Sequence, residues 1–396
     1  MTNATPSYES CPWRRIYEPG VPITVSYEDK TLLAFFDETA ARFSDKTALI
    51  FEGYRIRYGE LRDMVDRMAG ALAGLGIQKG DRVAILLPNV IPCVAAYYAV
   101  LKLGGIVVMN NPLYTDHELA HQFNDSGACM VITLDLLAPR MIALREKTGI
   151  EQIIYTSLGD YLPFPKSLLF PLVARKKKLS ARVPEAEKVF QWKKLLDENH
   201  EPPPAVDLAL DDPAMYQYTG GTTGVSKGVV LSHGNLSRQI QQIKAWFPGF
   251  EKGNGMMLGA LPFFHVFGLT TSMNLAIYYG WGNILVPKPH PPALIKAISA
   301  HRATFVPLVP TMYIGILNHA DFEKADLSSV EGCFSGSAPL PVEVIKEFEE
   351  KTGSIIVEGY GLTEASPVTH INPYASGGRK VGSIGMPIPD TECRIV

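Results

Sequence analysis

Several functional classes are excluded by what this chain lacks. It carries 37 Lys and Arg against 40 Asp and Glu, a formal charge of -3. The basic excess that broad nucleic-acid binding needs is therefore missing. Its five cysteines, Cys11, Cys93, Cys129, Cys333 and Cys393, are scattered and form no CxxC pair. Neither a disulfide framework nor a zinc knuckle is indicated, and a reducing, cytoplasmic setting is expected. Around Glu9, Trp13, Arg14 and Arg15 there is no apolar core of a secretory signal. No apolar run approaches the roughly 20 residues of a membrane span.

What is present centres on Tyr218-Thr219-Gly220-Gly221-Thr222-Thr223-Gly224-Val225-Ser226-Lys227-Gly228, eleven residues with four glycines, three threonines and one lysine. Glycine lets a backbone approach a ligand closely, and successive N–H groups in such a loop form a concavity for anions. Threonine hydroxyls and Lys227 add donors and charge, so a polyphosphate is the natural guest. The spacing is not that of the P-loop NTPases. The plainer alternative, a flexible hairpin tip, would favour Asn, Asp and Pro over repeated Thr.

With 396 residues, 46% hydrophobic and 19% charged, two or three packed domains are expected. A helix over Thr31–Phe43, a hairpin at Ala48–Phe51 and Arg55–Tyr58, and a helix over Tyr58–Leu75 come first. Short apolar runs at Val83–Leu87, Ile106–Met109, Met130–Thr133 and Gln152–Tyr155 then alternate with helical stretches. That rhythm predicts a doubly wound α/β sheet. It breaks between Tyr161 and Pro204, where prolines interrupt and Arg175-Lys176-Lys177-Lys178 follows an apolar stretch. A solvated connecting loop is expected there. The competing reading is a peripheral contact of residues 166–179 with an anionic membrane surface.

From Ala214 the α/β rhythm resumes, with strands at Ala214–Tyr218, Gly228–Leu231, Met256–Ala260, Asn283–Val286, Ala303–Pro307, Gly332–Ser335 and Ser354–Glu358. The expected division is 1–212, a first α/β unit; 213–379, a second; and 380–396, the start of a β-rich, distorted-barrel part.

Two short patterns are set aside. His117-Glu118-Leu119-Ala120-His121 has the form of a zinc metalloprotease site, but no third ligand is recognisable. Gly224-Val225-Ser226-Lys227-Gly228 has the form of a serine-hydrolase elbow, which needs a helix after the serine; here a strand is expected.

Three further segments follow expected strands or break apolar runs. Leu261 to Leu269 frames His265 with apolar and aromatic residues. Phe334-Ser335-Gly336-Ser337-Ala338-Pro339 offers small residues on which a flat ring can lie. Glu358-Gly359-Tyr360-Gly361-Leu362-Thr363-Glu364 joins an aromatic, a hydroxyl and a carboxylate. Strand C-termini are where open α/β sheets bind ligands.

In order and spacing, these segments resemble the adenylate-forming superfamily and, within it, bacterial long-chain fatty acyl-CoA synthetases, from about Thr31 onward. Gly220 stands where Ser is common and Ser226 where Pro is common. The resemblance implies an acid–thiol ligase that uses ATP, Mg2+ and coenzyme A and has two α/β subdomains. It implies that Thr219, Gly220, Gly221, Thr222, Thr223, Gly224 and Lys227 hold the outer phosphates. Gly336, Ser337, Ala338 and Pro339 would border adenine on one side, and Gly359, Tyr360 and Gly361 on the other. Thr363 would meet the α-phosphate and Glu364 would hold Mg2+. His265 would sit at the reacting carboxylate, with Phe263, Phe264, Val266 and Leu269 near the acyl channel.

Amino-acid-activating relatives usually carry an Asp near the histidine segment. Val266-Phe267-Gly268-Leu269-Thr270 has none, so an apolar acid is favoured. Aryl or medium-chain acids remain the alternatives, as does a non-catalytic binding module. A homodimer is compatible with the resemblance. The family's Thr-Gly-Asp segment and small C-terminal domain with its catalytic lysine have no counterpart before Val396, so weak nucleotide binding and poor turnover are expected of this chain alone.

Overall fold

The computed structural model describes residues 11–199, 201–220, 225–374 and 378–394. Its strands are β1 (Thr47–Phe51), β2 (Tyr54–Arg57), β3 (Arg82–Leu86), β4 (Ile106–Met109), β5 (Met130–Leu134), β6 (Gln152–Thr156), β7 (Val189–Gln191) and β8 (Pro213–Thr219). They continue as β9 (Lys227–Ser232), β10 (Met256–Gly259), β11 (Gly282–Leu285), β12 (Phe305–Leu308), β13 (Gly332–Ser335), β14 (Ile355–Gly361), β15 (Val368–Ile371) and β16 (Met386–Pro387). Seven form one sheet in the order β7-β6-β5-β3-β4-β8-β9, and nine form a second, β16-β15-β14-β13-β12-β10-β11-β1-β2.

Both sheets are parallel at their centres and antiparallel at edges, β8–β9 in one and β1–β2 and β14–β15–β16 in the other. Strand β4 reads as an unbroken apolar run, and β5 is interrupted only by the buried Thr133, because both faces are covered. The hairpin β1–β2 turns on Glu52 and Gly53, both with positive φ, the geometry of a two-residue turn matched to strand twist. Between the sheets, the helix Ile91–Lys102 is buried from Ile91 to Leu101. Its Tyr98 stacks on Phe36 at 4.6 Å and donates to Asn274 Oδ1 at 3.0 Å.

The sheets do not part at one point in the chain. β1 and β2 close the edge of the larger sheet, whereas β8 and β9 complete the smaller one, so the boundary expected at 212 is not a boundary between sheets. Strand propensity is local, but the choice of partner strand is not. Beyond Lys380 the described residues supply only β16, at the larger sheet's edge.

The loop expected between Tyr161 and Pro204 is also corrected. A helix spans Lys166–Lys177, and β7 and a helix at Trp192–Glu198 follow it. Pro171 lies inside the first helix, which buries only Ala174; the carbonyl freed by proline can bond water there. Trp192 is buried and donates its indole N–H to the Tyr161 hydroxyl at 2.9 Å, anchoring the connection.

Candidate functional site

The site forms where β13 and β14 end. Their parallel register aligns Ser335 with Glu358, so Gly336-Ser337, just past β13, follow on beside Gly359-Tyr360-Gly361, the last residues of β14, which pair onward with β15. Close packing dictates glycine here. A Cβ at Gly359 would collide with the Phe334 ring, and one at Gly361 with the Pro367 carbonyl. At Gly336 it would press on Phe267 at 3.1 Å. Ser337 adopts a left-handed φ of 70°, a strained choice for a non-glycine residue that is often found at functional sites.

These segments enclose a cleft of about 220 Å³. Of the residues singled out from sequence, His265, Val266, Gly336, Ser337, Gly359, Tyr360, Gly361 and Thr363 line it. Tyr360 is 47% exposed, presenting a ring face. Ala338, Pro339 and Glu364 stand exposed outside it. Phe263 and Leu269 are buried in the core and Phe264 is half-buried, so these three do not line the cleft.

The glycine- and threonine-rich segment lies in sequence between β8 and β9, whose antiparallel register pairs Thr219 with Lys227 and Tyr218 with Gly228. Gly221, Thr222, Thr223 and Gly224 lie outside the described residues. A Cβ at Gly220 would meet nothing within 4 Å among the described residues, and Lys227 is exposed. β9 runs within 8 Å, Cα to Cα, of the one-turn 3-10 helix Thr363–Ala365. The serine-hydrolase context is absent, since β9 starts immediately after Ser226.

Two members of the metalloprotease pattern, Glu118 and His121, serve other geometry. Glu118 completes a capping box with Thr115, while a His121 ring nitrogen lies 3.0 Å from the Ser226 carbonyl. Nearby, the Tyr218 hydroxyl donates to Asp125 at 2.6 Å. The helix Asp116–Ser126 thus braces the ends of β8 and β9 that flank the glycine- and threonine-rich segment. No cluster of three or more potential metal ligands occurs among the described residues.

His265 precedes a helix that begins at Val266, passes through a π-helical segment, Leu269–Asn274, and ends at Tyr279. Short π-helical stretches often mark functional sites. The His265 Nδ1 accepts the Phe267 N–H at 3.2 Å. This leaves Nε2 for a ligand; the side chain is exposed to solvent at the cleft, and desolvation by the surrounding wall still pulls its pKa below the ordinary value. The imidazole is therefore neutral at pH 7 and can donate from Nε2 to a carboxylate or phosphate oxygen.

Residues not anticipated from sequence hold this segment. Asn89 donates to the carbonyls of Gly259 and Leu261 at 2.9 and 2.8 Å and accepts the Phe263 N–H at 2.9 Å. Gln217 donates to the Phe264 carbonyl at 2.7 Å. Their only sequence signal is a polar residue just past an apolar strand, for Asn89 after β3, or within one, for Gln217 in β8. Behind the cleft a small apolar space is bordered by Ile243, Phe247, Thr271, Leu275 and Phe305, and it shares Phe334 and Val368 with the cleft.

The chain matches the AMP-binding enzyme family over residues 36–396. It belongs to that family. It is 43% identical over 388 residues to a long-chain-fatty-acid–CoA ligase of Bacillus subtilis, covering 97% of this chain and 69% of that protein. With the long-chain-fatty-acid–CoA ligase of Escherichia coli O157:H7 it shares 33% identity at the same coverage.

Its fold superposes with a TM-score of 0.78 on a long-chain-fatty-acid-CoA ligase from Archaeoglobus fulgidus, at 24% identity, covering 95% of this chain and 72% of that one. The anthranilate CoA ligase AuaEII, solved with anthranoyl-AMP, gives a TM-score of 0.78 at 22% identity, covering 91% and 64%. At these identities the likeness to solved structures is one of fold. For an AMP-binding enzyme the cleft has the right character, with a glycine-lined floor, an exposed aromatic ring and hydroxyls within one concavity.

Proposed function

We propose that the chain forms the nucleotide- and acid-binding part of an ATP-dependent long-chain fatty acid–CoA ligase. The observation that carries this reading is the cleft at the ends of β13 and β14, opened by His265, in a chain of the AMP-binding enzyme family; the apolar space behind it, about 10 Å³, would have to widen to take an acyl chain. An adenine ring would lie between Gly336-Ser337 and Tyr360. Thr363 would donate to the α-phosphate, and Lys227 with the loop before it would hold the outer phosphates. Glu364 is exposed and makes no ion pair among the described residues, a setting suited to sharing a Mg2+ with phosphate oxygens. When bound, that ion would supply charge neutralisation for the departing pyrophosphate.

The chemistry follows from these placements. A fatty carboxylate directed by His265 forms a bond from its oxygen to the α-phosphorus, and the bond to pyrophosphate breaks. The product is acyl-AMP, whose carbonyl carbon is open to the thiolate of coenzyme A, with AMP leaving. This chain's part is positioning and electrostatic stabilisation, which dominate phosphoryl and nucleotidyl transfer. No carboxylate stands at Val266–Thr270 to hold an ammonium group, so the acid is apolar.

The test is calorimetric binding of a hydrolytically stable acyl-adenylate analogue carrying hexadecanoyl, hexanoyl or benzoyl. The long chain should bind tightest. Preference for benzoyl or hexanoyl would transfer the assignment to an aryl- or medium-chain-acid ligase.

The helix Lys166–Lys177 supports a peripheral contact with an anionic membrane face. No helix among the described residues is long and apolar enough to cross a membrane. Phe164, Leu168 and Leu172, however, are 82%, 71% and 73% exposed, and Arg175-Lys176-Lys177-Lys178 adjoins them. Pelleting with phosphatidylglycerol vesicles, lost in the variant Leu168→Asp/Leu172→Asp, is the expected result.

A further inference from the structure

At the other end of the larger sheet, two cavities that the nucleotide chemistry does not use meet. The first, about 340 Å³, sits at the carboxyl ends of the parallel strands β11 and β1, the side of a parallel sheet where ligands settle. Lys166, Lys288, Lys296, His290 and His301 line it, against Glu52 as the one carboxylate. Lys166 is already paired with Glu52, at 3.0 Å. Among the described residues, Lys288 and Lys296 have no carboxylate within 4.0 Å. The Nδ1 of His301 is buried there without a partner, and its pKa is lowered by burial and then by neighbouring cations.

The second cavity, about 430 Å³, is almost wholly apolar, walled by Leu158, Leu162, Leu169, Phe170 and Val173. Glu52, Lys166 and Pro287 border both spaces, so a cationic chamber opens beside an apolar trough. Each has the size of a small-ligand pocket, roughly 300–1,000 Å³. The helix Pro291–His301 faces the chamber with two prolines first, and the Ala293 N–H is taken by His290. An anion there must be held by side chains, because the first turn has no free backbone donor to offer.

We propose that this pair of cavities is a binding site for a phosphorylated amphiphile, its head group on Lys288 and Lys296 and one acyl chain in the Leu162–Phe170 trough. The site is separate from the nucleotide cleft and does not depend on the ligase reading. It also differs from the membrane contact, which needs only the outward face of Leu168 and Leu172. The shared chemistry, an acyl chain ending in phosphate, has two sources: a phospholipid of a bilayer, or a soluble phosphorylated acyl compound.

The experiment is calorimetric titration of the 396-residue chain with dodecyl phosphate below its micellar concentration, alongside dodecanol and inorganic phosphate. Dodecyl phosphate should bind and the other two should not bind measurably. Lys288→Glu/Lys296→Glu changes only exposed side chains and should weaken binding on the order of tenfold or more, as should Leu169→Asp. His265→Ala should leave it unchanged.

Wild-type affinity in the double-lysine variant, or loss of all binding in His265→Ala, would overturn the proposal. Sedimentation with phosphatidylglycerol and phosphatidylcholine vesicles separates the sources. Lysine-dependent pelleting with the former assigns a bilayer lipid, and lysine-dependent binding of monomeric dodecyl phosphate alone assigns a soluble ligand. If Leu168→Asp/Leu172→Asp abolishes pelleting but not dodecyl phosphate binding, the membrane contact and the cavity site are distinct, as argued.

Discussion

The Thr270 hydroxyl donates to the Ser366 carbonyl at 2.9 Å, in a buried position. One bond thereby fastens the helix that follows His265 to the turn that follows Glu364. Thr270→Val keeps the shape and removes the donor, leaving a buried carbonyl unpaired. A loss of about 1–3 kcal/mol is expected, read as a lower urea midpoint at unchanged m-value. Weaker binding of the acyl-adenylate analogue should accompany it.

Gly361 and Gly220 belong to the same site yet should respond oppositely to a side chain. A Cβ at 361 meets the Pro367 carbonyl, whereas at 220 it meets nothing within 4 Å among the described residues. Gly361→Ala should cost about 1–3 kcal/mol and reduce nucleotide binding. Gly220→Ser should stay within about 0.5 kcal/mol of the parent. Thermal unfolding with and without ATP measures both.

His233 is buried with neither ring nitrogen partnered. Burial, and to a lesser degree Lys79, lowers its pKa to about 4 despite Asp212. The unfolded chain then binds the proton more readily than the folded one. This group's contribution to stability is complete above pH 6.5 and is lost as pH falls from 6.5 to about 4, and below that it changes no further. The total is on the order of 3 kcal/mol. Urea unfolding at a series of pH values should show this slope, and His233→Gln should flatten it.

Glu364→Gln keeps the size of the side chain and removes its charge. ATP binding should then lose most of its dependence on Mg2+, with affinity in Mg2+ falling about tenfold toward that measured in EDTA. Calorimetry with and without EDTA reads this directly, and an unchanged Mg2+ dependence would remove Glu364 from the proposed site.

Much of the fold was legible along the chain. Strands β4 and β13 appear at the expected residues, Ile106–Met109 and Gly332–Ser335. These signals are local: a short run buried on both faces holds only apolar or small residues. The helix Lys166–Lys177 escaped because its prolines and charges read as a loop, and an exposed helix shows no apolar stripe.

Residue chemistry alone therefore marked out a phosphate-seeking loop, a lone histidine in an apolar frame and an aromatic–hydroxyl–carboxylate run, since each type carries its reactivity wherever it lies. Tertiary structure alone decided that Ser335 and Glu358 stand abreast and that the β1–β2 hairpin crosses to the far sheet. It also put Asn89 around the Gly259 and Leu261 carbonyls. Those outcomes depend on hydrogen bonds and packing between segments up to hundreds of residues apart, which no local pattern encodes.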